Sequence, residues 1–120
     1  MEYNNLDKEL INDVPEIKWL YDEELKLWDE DPGQHIIFGD VFNPYLINLL
    51  KSNENNSLIR KLFVFLEKMA NCNDILVQEV LVCTVLERLG DEDSILQKAK
   101  EYMGQKTKKL SDDIQTGWGR

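Results

Sequence analysis

A chain of 120 residues has room for one domain with one hydrophobic core, because a domain of that length buries about two-thirds of its unfolded surface. With 42% hydrophobic and 31% charged residues it falls outside the composition of disordered chains. The net charge of −9 comes entirely from residues 1–40, where twelve acids face Lys8, Lys18 and Lys26; residues 41–120 hold eleven acids and eleven bases. That acidic third disfavours a nucleic-acid backbone or an anionic membrane as partner, and it suits a protein with a basic surface. The opening residues have neither a basic stretch nor an apolar run, so no signal peptide is expected. The longest uncharged apolar runs, within residues 75–86, are too short to span a bilayer. A cytoplasmic protein is the expectation, with Cys72 and Cys83 reduced.

Leu6, Leu10 and Val14 recur every four residues and predict a short first helix, with Asn4 or Asn5 as its cap. Pro15 is placed to open a second helix, where its missing N–H costs nothing. Ile17, Leu20, Tyr21, Leu25 and Trp28 form its apolar stripe, and Glu16, Asp22, Glu23 and Asp29 lie outside it. The turn formers of residues 29–34 end this helix. His35-Ile36-Ile37-Phe38 reads as an apolar extended linker pinned to the core, with a short strand as its rival. Asp40 or Asn43 then caps a helix bearing Phe42, Tyr45, Leu46, Leu49 and Leu50, with Asn43-Pro44 as cap and first residue and Phe42 and Ile47 as a staple. After a polar loop, Ser57 is expected to cap residues 58–70.

The segment from about Asp74 to Leu89 is apolar around nearly its whole circumference, which predicts a central helix buried on several sides. Residues 91–94 cap a further helix with Ile95, Leu96, Ala99, Tyr102 and Met103, stopping at Gly104. Leu110, Ile114 and Trp118 suggest one more. The fold class is therefore all-α: a single domain of six or seven helices, arranged as a bundle or a short HEAT-like stacked array. It divides into an acidic third (1–40), a charge-balanced body (41–104) and a C-terminal tail (105–120).

The parts for catalysis are few. His35 is the only histidine, which leaves no second imidazole and no nearby cysteine for a nucleophile–base pair. Two separated cysteines and one histidine do not give zinc spacing. Residues 29–40 fit a calcium loop at Asp29 and Asp31, but Gln34 stands where glycine is required and Asp40 where a bidentate glutamate is expected. No glycine-rich phosphate loop is present. Glu67, Glu79 and Glu87 are the acids embedded in apolar helices. Lys106, Lys108 and Lys109 form a basic helix end, suited to solvent or to docking on the acidic third. Neither a cofactor nor a metal is expected, and the chain is not expected to be an enzyme.

Val14-Pro15-Glu16-Ile17, the Phe38-Gly39-Asp40 junction and the ending Met103-Gly104, Leu110-Ser111 and Gly117-Trp118 resemble a family of short, uncharacterised bacterial helical proteins. Asp74, Val77 and Val80 before Leu86 and Leu89-Gly90 are also similar to one HEAT-type repeat. The resemblance implies a helical fold and carries no assigned activity. Size, acidity and lack of catalytic groups further resemble the immunity proteins that neutralise basic toxins, an analogy of class only. The functional expectation is a non-enzymatic protein-binding domain, toxin-neutralising or regulatory. Its partner-binding candidates are Asp22, Glu23, Asp29, Glu30, Asp31 and Trp118, with Trp19, Tyr21 and Trp28 as aromatic neighbours. Core packing is the favoured reading for Tyr21 and Trp28, and docking into a groove of this chain is favoured for Trp118. The alternatives are a homodimeric scaffold subunit and, last, a carboxylate-based enzyme.

Overall fold

The first helix, α1, runs Leu6–Asp13 in the computed structural model, which describes residues 1–117. A 3-10 turn at Tyr3–Asn5 leads into it, and no side chain caps it. Val14, restricted by the proline that follows, leaves helical geometry at φ −131°, ψ 72° and separates α1 from the next element. Pro15–Ile17 then forms a 3-10 turn that opens α2, Lys18–Leu25. The remaining helices are α3 (34–52), α4 (Asn56–Ala70), α5 (75–89), α6 (Asp93–Lys100) and α7 (Gln105–Gly117). No strand occurs among the described residues. The radius of gyration is 13.6 Å, against roughly 13–14 Å for one compact domain of this length.

The His35–Phe38 tetrad is helical, not extended. Gly33, at φ 89°, turns the chain into α3, which continues without a break through Asn43 and Pro44 to Ser52. Asn43 therefore does not cap a helix. Residues Phe38–Phe42 are π-helical, and the widened turn accommodates a proline that offers no N–H to the carbonyl before it. Phe38, Phe42, Leu46 and Leu50 are buried at four-residue steps along α3, with Ile37, Val41 and Ile47 beside them. Helix α5 has the same structure: Val80–Leu86 is π-helical, and Val77, Leu81, Val85 and Leu89 are buried at four-residue steps.

The two π segments pack against each other. Asn43 donates through Nδ2 to the Thr84 carbonyl at 2.9 Å, and the Thr84 methyl packs beside Gly39. Below this junction Phe38 stacks on Phe65 at 6.3 Å and meets Phe42 at a tilt at 5.4 Å, and the core continues through the buried face of α4. Asn55, in a left-handed conformation, caps α4 by accepting from Leu58 N at 3.2 Å, two residues before the expected Ser57. Asp74 caps α5 as expected and also accepts from Tyr3 N, tying down the N-terminus. Helix α5 is not buried all round: Ile75, Leu76 and Cys83 are exposed.

Helix α7 docks on α4 and α5 through Glu67. The Glu67 carboxylate accepts from Thr107 N and Thr107 Oγ1 at 2.8 Å each and from Lys106 N at 3.2 Å. It thus caps the first turn of a helix from another part of the chain. Burial raises its pKa, but these hydrogen bonds and one from Asn71 outweigh burial and hold it below the ordinary value. The Lys106–Lys109 stretch does not reach the acidic third. Lys109 pairs with Asp113, and the lysines that do reach that third are Lys61, on Glu16, and Lys68, on Asp13.

Candidate functional site

The candidate site is the acidic edge formed by α2 and the turn after it. One buried carboxylate anchors both ends of this segment. Asp7, 6% exposed, accepts from Tyr21 Oη at 2.7 Å and from Gln34 Nε2 at 3.0 Å. Tyr21 lies on α2 and Gln34 opens α3, so the intervening residues are held at entry and exit by the same side chain on α1. Burial, then the Asp7 hydrogen bond, push the Tyr21 hydroxyl far above its ordinary pKa, and Asp31 and Asp22 add to the effect.

Asp22 pairs with Lys18 at 2.7 Å and Glu23 with Lys26 at 2.9 Å. Both pairs lie on the exposed face, where ion pairs contribute little to stability. Asp29, Glu30 and Asp31 are exposed on the turn, and Asp31 also shapes it by accepting from Gly33 N at 2.9 Å. These five expected acids share a continuous, outward segment. Trp118 lies outside the described residues.

The Trp28 assignment needs correction. Helix α2 ends at Leu25, so the stripe that would carry Trp28 into the core stops short of it. Trp28 is 42% exposed and donates through Nε1 to Glu24 at 2.9 Å. Tyr21, as expected, packs against the core; it is half-buried, with its hydroxyl donating to Asp7. Trp19 is 63% exposed and Leu27 76% exposed, so three large apolar side chains sit among the acids. Leu27 lies off the apolar stripe of the sequence and was not singled out there as a site residue. Asp40, on the neighbouring α3, has its carboxyl pushed above the ordinary range by burial and by Glu24 beside it. This local carboxyl pair follows from tertiary contact between α2 and α3 and has no signature in spacing.

Cys83 and His35 do not form an activated pair. Burial, with Glu87 and Glu79, raises the Cys83 pKa and keeps it a thiol, and His35 Nδ1 sits 2.6 Å from Thr84 Oγ1. Among the described residues no group of three or more His, Cys, Asp or Glu side chains is placed to hold a metal. No helix is long and apolar enough to cross a membrane.

The family model of a domain of unknown function, DUF7674, matches residues 8–119. The chain belongs to the DUF7674 family. No curated protein and no solved structure matches it. The DUF7674 match covers α2 to α7 and all but the first two residues of α1, including both π segments and the acidic edge; it begins one residue after the Asp7 anchor.

Proposed function

We propose that this DUF7674 chain is a non-enzymatic protein-binding domain whose acidic edge docks a partner with a basic surface. A toxin-neutralising or regulatory role is the form of that activity which its size and charge suit. The observation that carries the reading is the conjunction of Trp19, Leu27 and Trp28, all exposed, with Asp22, Glu23, Asp29, Glu30 and Asp31 around them. Exposed tryptophan and leucine are costly to hydrate in the free protein, and tryptophan is enriched among the residues that carry binding energy at interfaces, while acidic rims speed and orient encounter with a basic surface. Guanidinium and ammonium groups of such a partner would also gain from stacking on the two indoles. The double anchor on Asp7 lowers the ordering cost of binding, because the segment is already held.

The test is capture from cells that make the protein, run in parallel with wild type, Trp19→Ala and a Glu30→Lys/Asp31→Lys variant. A partner that binds wild type at low salt, elutes as salt rises and is lost with both variants supports the proposal. A partner retained by both variants removes it. Exposed Ile75 and Leu76 at the start of α5 support a second reading, a homodimeric scaffold. Light scattering then shows a dimer mass that salt does not dissolve and Ile75→Ser does.

A further inference from the structure

Helix α7 docks on α4 and on the π segment of α5 with little apolar surface. The stripe it turns inward is Thr107, Leu110, Ser111, Ile114 and Gln115, of which only Leu110 and Ile114 are apolar and join the core. Helix α4, beneath it, buries eight residues, all of them apolar. Ser111 Oγ and Gln115 Nε2 are buried and have no hydrogen-bond partner among the described residues. Each opposes docking, because water would satisfy it once the helix lifts away.

The attachment is concentrated at the first turn. Glu67 of α4 accepts from Lys106 N, Thr107 N and Thr107 Oγ1, and Gly104, just before α7, lies against the same carboxylate. Farther along, Lys100 pairs with Asp112 at 3.3 Å on the surface, where ion pairs contribute little. An element with few buried apolar contacts opens at a lower free energy than the core it covers.

We propose that α7 is a detachable strap: the folded protein populates a state in which residues 105–117 leave α4 and α5 as a unit while α1 to α6 stay packed. Glu67 is its latch. The strap controls access to the seam between α4 and the π segment of α5, a face built from helices other than those of the acidic edge.

Amide hydrogen exchange of the full chain, free in solution and followed over a series of low urea concentrations, tests this. The hydrogen-bonded amides of α7, from Lys108 onward, should exchange through one common opening with weak urea dependence. That opening should be populated at least about tenfold more than the one that exposes the amides of α4, whose urea dependence is steep. Two variants separate a strap from global unfolding. Ile17 is buried and packs between α1 and α2, so Ile17→Val weakens the body whether or not α7 is docked. It should speed exchange in α4 about fivefold and leave α7 unchanged. Glu67→Ala removes contacts that exist only in the docked state, and should speed exchange in α7 about tenfold or more. The proposal is overturned if α7 shares the protection and urea dependence of α4, or if Ile17→Val speeds both helices alike. It is also overturned if protection in α7 decays residue by residue towards Gly117, as in fraying, or if Glu67→Ala leaves exchange in α7 as in wild type.

Discussion

Gly104→Ala should destabilise the protein through a residue on another helix. A Cβ at position 104 would lie 2.5 Å from Glu67 Cδ and 2.6 Å from its Oε1, so the carboxylate must move. It cannot move freely, because Thr107 N, Thr107 Oγ1 and Lys106 N all donate to it. Hydrogen bonds to a charged group contribute about 1.5–3 kcal/mol each when buried. Glu67 is partly exposed, which scales this to about 1 kcal/mol apiece and about 3 kcal/mol for the set. The lower unfolded-state entropy of alanine returns about 0.5 kcal/mol. The net loss is therefore about 2–3 kcal/mol, or roughly a 10 °C drop in Tm for a chain of this size. The assay is a double-mutant cycle by urea denaturation with Glu67→Ala. Once Glu67 is truncated the clash is gone, so Gly104→Ala should cost almost nothing in that background, giving a coupling of about 2 kcal/mol. Additive losses would refute the reasoning.

Glu67 also sets a pH limb. Its pKa is depressed on folding, so its contribution is present above the ordinary 4.5 and is lost as pH falls through the folded value. The stability difference between wild type and Glu67→Gln should thus shrink on acidification, as read by denaturant midpoints. Asp40 has the opposite sign, being raised on folding. Its stabilising protonated form is present below the ordinary 3.8 and lost as pH rises through the folded value, so Asp40→Asn should be the more stable protein at neutral pH and lose that advantage in acid. Tyr21→Phe leaves one oxygen of the buried Asp7 unpaired and should cost about 1–2 kcal/mol, measured by thermal unfolding. The same change should speed amide exchange across residues 22–33, because one of the two anchors of that segment is gone.

Much of the fold was legible because four-residue apolar spacing survives in α1, α4 and the later helices. Helix α4 is the clearest case, with Leu58, Ile59, Leu62, Phe63, Phe65, Leu66 and Met69 all buried as the periodicity requires. The errors come from two physical sources. The His35–Phe38 tetrad reads as extended and made α3 look like a linker followed by a capped helix, and nine apolar side chains between Ile75 and Leu86 made α5 look apolar on every side, although Ile75, Leu76 and Cys83 are exposed. Helix ends are the second source. Nothing in the run from Leu25 to Trp28 says that α2 stops at Leu25, and that stop alone turns Trp28 from core to surface. The acids of the candidate edge were legible from charge density. The Asp7 anchor was not, since it joins residues 14 and 27 positions away through side chains.

Docking of a basic partner on the acidic edge, as proposed, is tested most directly by amide hydrogen exchange of the captured complex. Protection gained on residues 18–33, with binding weakened about tenfold or more by Trp19→Ala or Trp28→Ala, is the predicted result. Protection confined to other surfaces, with both variants binding as wild type, would contradict it.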